Sequence, residues 1–146
     1  MIRFFGLFVL FIPCVAMDVC KKKLPVLYML LFSILAVLCN VIFHWAGLLE
    51  MGLGAVLGLL FMGFSALTKG SIGMGDGLMI AAMGLWCGIF SASAMTLLGF
   101  LFAAVFGLLY ILFTKKSLKS TLPFAPFLAV ASLCISGISW IGGSVG

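Results

Sequence analysis

Long apolar stretches fill this chain, and the breaks between them are made by charge and by glycine and proline. The apolar runs lie near residues 3–19, 25–43, 46–66, 77–92, 94–113 and 122–141, each close to the roughly 20 apolar residues that span a bilayer. The pattern predicts an all-α polytopic membrane protein with six transmembrane helices. The connections alternate in character. The first, third and fifth carry Lys21, Lys22, Lys23, Lys69, Lys115, Lys116 and Lys119. The second holds His44 and Trp45, the fourth is a turn near Ser91–Ser93, and neither contains Lys or Arg. Lysine-bearing loops stay on the cytoplasmic side, so both termini face outward, with Arg3 alone on the wrong side.

Composition narrows the class further. A chain of 146 residues that is 66% hydrophobic and 8% charged has too little polar surface to cover a water-soluble core. Lipid is its solvent, and six spans leave no room for a second domain, so residues 1–146 are expected to form a single unit. The net charge of +5 sits in short runs between spans, where it reports topology rather than a nucleic-acid face. Met1 to Ala16 has features of a secretory signal peptide. The stronger basic cluster follows that apolar run, which favours a retained span. The five cysteines stand singly in apolar segments and are expected to be small buried hydrophobes.

Gly54 and Gly58, and Gly84 and Gly88, have the four-residue spacing that lets helices approach closely, and are expected at helix contacts. The phenylalanines are expected to face lipid, and methionines such as Met74, Met79 and Met83 to fill the core or line a plastic apolar surface. His44-Trp45 reads as interfacial anchoring.

Three acidic residues, Asp18, Glu50 and Asp76, lie in or beside apolar segments, where a carboxylate is expensive and therefore a functional candidate. Asp18 ends the first span and Asp76 begins the fourth, so both belong to the cytoplasmic ends of their helices. Glu50 starts the third span at the opposite level, as an interfacial residue or a partner of Arg3 or His44. Two carboxylates held together share a proton, and one can then activate water while the other protonates the substrate. Asp76 at a helix N-terminus and Asp18 at a C-terminus suggest Asp76 as the initial base, although the lysines beside Asp18 pull the other way. The glycines of Gly73-Met74-Gly75-Asp76 suit a turn that needs positive φ or close backbone approach. An ordinary loop before an acid-capped helix explains the same segment, and the residues alone leave both readings open.

Gly73-Met74-Gly75-Asp76, continuing through Gly77 to Ala81-Ala82-Met83-Gly84-Leu85-Trp86-Cys87-Gly88, resembles the GxGD segment of the type IV prepilin peptidases. Ala16-Met17-Asp18 with its basic turn and Leu24-Pro25 resembles their first aspartate segment. Leu122-Pro123-Phe124-Ala125-Pro126-Phe127 is similar to the Pro-Phe-x-Pro approach to their last helix. These three segments occur in the family's order and extend over nearly the whole chain.

The resemblance implies an intramembrane aspartyl endopeptidase of the prokaryotic plasma membrane, with Asp18 and Asp76 as catalytic dyad and Gly73 and Gly75 as supporting glycines. It implies no metal or organic cofactor. Its substrate would be a prepilin or pseudopilin with a basic leader and a hydrophobic helix, cut on the cytoplasmic side after a glycine. Many family members also carry an N-terminal extension with paired cysteines and methylate the new pilin terminus. This chain starts directly at the catalytic domain, so cleavage without methylation is expected. Leu78 stands where the family commonly has lysine, and Val26 where it has asparagine; both bear on efficiency and substrate fit, and neither removes a carboxylate. Two rival readings are a non-catalytic pilin-binding relative and a small transporter that uses the carboxylates as an ion relay. The pilin system served and the oligomeric state stay open.

Overall fold

The structure is a computed structural model that describes residues 2–21, 25–44, 46–67, 73–114 and 124–143. Among these residues every element is a helix: α1 (Ile2–Lys21), α2 (Val26–Phe43), α3 (Leu48–Leu67), α4 (Met74–Thr114) and α5 (Ala125–Gly143). The segments Val26–Phe43, Leu48–Leu67 and Met74–Phe113 are long and apolar enough to cross a membrane, while Gly6–Cys20 and Ala125–Ile138 are shorter apolar helices. Leu24, Trp45, Lys22, Lys23, Lys69, Lys115, Lys116, Lys119, Leu122 and Pro123, with the side chains of Arg3 and Lys21, lie outside the described residues.

The expected fourth and fifth spans are one helical element with a break, and the break is not at Ser91–Ser93. Those serines are helical, and the Ser93 hydroxyl donates to the Phe90 carbonyl at 3.0 Å, an arrangement a helix accommodates. The backbone departs from helix at Gly88, with φ 79° and ψ 171°, a conformation open to glycine and strained for other residues. The chain doubles back there. Met62 of α3 lies against Gly77, while the adjacent Phe61 stacks on Phe100 with centroids 5.3 Å apart. Along a straight helix residues 77 and 100 would be about 35 Å apart. Gly88 is thus the reversal point of α4 rather than a packing glycine.

The other three glycines of the two pairs do bring backbones together. A Cβ at Gly54 would lie 2.6 Å from the Gly84 carbonyl oxygen, and one at Gly58 would overlap Ala81. α3 therefore rides on the first limb of α4 with no room for a side chain between them. α4 is the hub, touching α1, α2, α3 and α5, and α1 also packs on α5. Met29, Met79, Met83, Met95, Leu10 and Leu128 fill the interior, and Met74 is exposed. Leu31, Ile34 and Leu38 of α2 and Leu49, Leu53 and Leu60 of α3 form broad uncovered apolar faces.

Two expectations about side chains are corrected. Phe11, Phe32 and Phe124 are buried, because aromatic rings fill the gaps between helices that small residues leave; Phe90 and Phe113 are exposed. Cys14 and Cys87 are buried, but Cys20 and Cys134 are exposed, on helix faces that no neighbour covers among the described residues.

Reversing a helix inside an apolar environment strands carbonyl groups, and α2 supplies the remedy. Leu85 and Trp86 lie in the last turn before the break at Gly88, where a helix ends its regular run of backbone bonds. The buried Asn40 amide donates to both, at 2.9 and 3.3 Å, and its Oδ1 accepts the Ala46 N–H at 3.0 Å. One side chain thus ties the reversal of α4 to the connection between α2 and α3. Asn40→Leu keeps the volume and removes these three hydrogen bonds, so it should lower stability by about 3 kcal/mol. Thermal unfolding of the purified protein in detergent checks this.

Candidate active site

At the opposite end of the bundle from Gly88, α1 delivers Asp18 to the start of α5. Phe124 caps α5: its carbonyl accepts the N–H groups of Phe127 and Leu128 at 3.1 and 3.2 Å. Pro126 has no N–H. Ala125 is therefore the first-turn residue with an amide to give, and it donates to Asp18 Oδ2 at 3.1 Å. Asp18 is 8% exposed, and this bond ties it to an element 107 residues away in sequence.

The position of that amide is set by a ladder of rings. Phe61 of α3 stacks on Phe100 of α4, and Phe100 stacks on Phe124 at 4.7 Å. Gly99 lets α5 come close, since a Cβ there would lie 3.1 Å from Leu128 Cδ1. Helices α3, α4 and α5 thus converge beneath the residue whose neighbour holds Asp18.

Asp76 lies in the first turn of α4, half-buried, with its N–H donated to the Gly73 carbonyl at 3.0 Å. Its carboxylate folds back over Gly73: a Cβ on that glycine would be 2.8 Å from Asp76 Oδ2 and 3.3 Å from Cγ. The glycine is needed for close approach by a side chain. Among the described residues only His44 and Gly88 have positive φ, so backbone handedness is not the reason for Gly73. Gly75 sits within the first turn of α4 as a helical residue.

Asp18 is bonded to Ala125, the neighbouring Phe124 stacks through Phe100 on Phe61, and Met62 lies against Gly77 beside Asp76, so both acids lie at the same end of the bundle. The structure therefore brings together two acids contributed by the C-terminal end of α1 and the N-terminal end of α4. The asymmetry expected from their own helix ends is largely removed, because Asp18 faces the N-terminal amide of α5 while Asp76 sits at the N-terminus of α4. Helix-end fields therefore do not single out Asp76 as the base. Glu50 is elsewhere. It is exposed in the first turn of α3, and its Oε2 would lie 3.2 Å from a Cβ at Gly88. His44, exposed with φ 51°, ends α2 at that same far end.

In the sequence Ala125 stands only as the variable position of the Pro-Phe-x-Pro segment, because the role of a backbone amide carries no residue signature. Phe124 and Pro126 were visible as part of a motif. Their arrangement around a single free N–H was not.

The profile of the type IV leader peptidase family matches residues 4–112, which include Asp18 and Asp76. The chain belongs to this family. A prepilin leader peptidase/N-methyltransferase of Aeromonas salmonicida (strain A449) is 38% identical over 77 residues, 52% of this chain and 26% of its own length. The protein of the same description from Xanthomonas campestris is 35% identical over 69 residues, 47% of this chain and 24% of its own. A type 4 prepilin-like proteins leader peptide-processing enzyme of Escherichia coli O78:H11 is 39% identical over 67 residues, 46% of this chain and 23% of its own. The matched stretch thus spans about a quarter of the length of these relatives. No solved structure matches.

Proposed function

We propose that this chain is a membrane-embedded aspartyl endopeptidase that removes class III leader peptides from prepilins or pseudopilins at the cytoplasmic face. Asp18 and Asp76 are its catalytic pair, and no metal or organic cofactor takes part. The observation that supports the proposal is the placement of these two acids at one end of the bundle, in a chain whose family relatives are described as leader peptidases. With α4 reversing at Gly88, the helices make six crossings. The helix ends that flank the lysine-bearing stretches of sequence are then those on the aspartate side, and the positive-inside rule supports a cytoplasmic placement for that side in a prokaryotic cell.

The chemistry follows from sharing one proton between two carboxylates. The ionised acid takes a proton from a water molecule as its oxygen attacks the scissile carbonyl. The protonated acid donates to the developing oxyanion. As the C–N bond breaks, the proton gained from water passes to the leaving amine and a hydroxyl of the tetrahedral intermediate returns its proton to the second acid, leaving a carboxylic acid product and the pair again sharing one proton. The Ala125 amide holds Asp18 in one rotamer, and the α4 turn holds Asp76 over Gly73. A prepilin helix can stay in lipid while the junction with its basic leader reaches the aspartates.

Sealed membrane vesicles test both reaction and side. Inverted vesicles, with the cytoplasmic face outward, should cleave added prepilin, and right-side-out vesicles should not. Prepilin captured by inverted vesicles but never shortened would favour the non-catalytic pilin-binding reading.

The Ala125 contact gives a narrower prediction. Ala125→Pro removes that N–H and puts the ring Cδ in its place against Asp18 Oδ2, so the bond is lost and the carboxylate displaced, while the α5 backbone accepts proline at its first position. Hydrogen bonds to charged groups contribute about 1.5–3 kcal/mol, so kcat should fall about 10- to 100-fold. The unfolding temperature should fall as well, since the same bond holds α1 to α5, and cleavage kinetics with thermal unfolding read the two losses separately.

A further inference from the structure

The helix that carries Asp18 contains a proline, Pro13, one and a half turns before it. A proline at position 13 cannot donate to the carbonyl of residue 9, and its ring pushes that carbonyl out of line. In an apolar environment no water takes the vacant place. The structure shows what does: the Tyr28 hydroxyl, on α2, donates to the Val9 carbonyl. The acceptor is the group that Pro13 orphans, and the donor comes from a different helix, 19 residues on.

We infer that Tyr28 is a positioning residue for Asp18, holding the proline-interrupted segment of α1 by satisfying the Val9 carbonyl. The inference rests on the peptidase reading for its effect on rate. The segment from Pro13 to Lys21 ends α1 and carries Asp18 to the Ala125 amide. With the phenol in place, α1 has one arrangement in which the Val9 carbonyl is bonded and Asp18 meets α5. Without it, α1 shifts until the carbonyl finds another partner, and Asp18 shifts with it. Tyr28 itself touches no reacting atom. α2 thus braces the bundle twice, through Tyr28 at the defect in α1 and through Asn40 at the reversal of α4.

A double-mutant cycle tests this against a general packing role. Tyr28→Phe removes only the hydroxyl. Pro13→Ala restores an N–H that bonds the Val9 carbonyl within α1. In the parent background Tyr28→Phe should lower kcat for prepilin cleavage about fivefold, from the loss of one hydrogen bond, with KM unchanged. In the Pro13→Ala background the same change should alter kcat by less than about twofold. Thermal unfolding of the four purified proteins should show the same pattern: a drop caused by Tyr28→Phe that Pro13→Ala suppresses.

Equal loss in both backgrounds, or no loss in the parent background, would overturn the inference. If Pro13→Ala is itself inactive, the thermal cycle decides the point, and a Tyr28→Phe drop of equal size in both backgrounds overturns it. A folded parent protein that cleaves no prepilin refutes the peptidase reading and the effect on rate together. The thermal cycle needs no substrate and still reports whether Tyr28 serves the carbonyl that Pro13 leaves free.

Discussion

Asp18→Asn and Asp76→Asn should each lower kcat for prepilin cleavage by about a thousandfold or more, the scale of effect expected when a positioned acid or base is removed. Asparagine is close to isosteric with aspartate. At position 18 its carbonyl oxygen can still accept the Ala125 N–H, and at position 76 its amide occupies the space over Gly73 that the carboxylate now fills. Shape and packing are therefore nearly conserved, and what is lost is the ability to take up and release a proton. Prepilin binding and the unfolding temperature should stay near parent values. The pair acts as one unit, so the double variant should be no slower than the worse single one. Single-turnover kinetics, with prepilin capture measured in parallel, check all of these expectations.

Gly73→Ala should lower kcat about a hundredfold, the scale associated with misplacing a catalytic group by about 1 Å. The added Cβ would meet Asp76 Oδ2 at 2.8 Å, too close for a carbon–oxygen contact. The obstacle is a carboxylate in a helix turn, so relief requires rotating Asp76 or opening the start of α4. Gly73 has no positive φ, and alanine causes no backbone strain there. Stability should thus change little while rate changes greatly. A Gly73→Ala protein that cleaves at the parent rate would show that the Asp76 orientation seen here is not the working one.

Much of the helix layout was legible because lipid imposes length and apolarity on each span. The runs at 25–43 and 46–66 correspond closely to α2 and α3. The serines at 91–93 misled because small polar residues mark turns in water, whereas here Ser93 bonds back to its own helix. Gly88 was visible only as one of a spaced pair, and spacing does not distinguish a glycine that admits a neighbour from one that adopts φ 79°. Asp18 and Asp76 stood out since acids are rare in this chain. Tyr28 and Asn40 did not, because each answers a defect in another helix, Pro13 in α1 and Gly88 in α4. Such pairings depend on which helices are neighbours, and apolar periodicity does not encode that.

The most direct test of the central claim is co-expression of a tagged prepilin with this chain, its Asp18→Ala variant and its Asp76→Ala variant, followed by the mass of the prepilin product. The account predicts a product shortened by its basic leader, cut just before the hydrophobic helix, with the parent chain alone, and full-length prepilin with either variant. Full-length prepilin with a folded and inserted parent chain, or the same shortened product with either aspartate replaced, would contradict it.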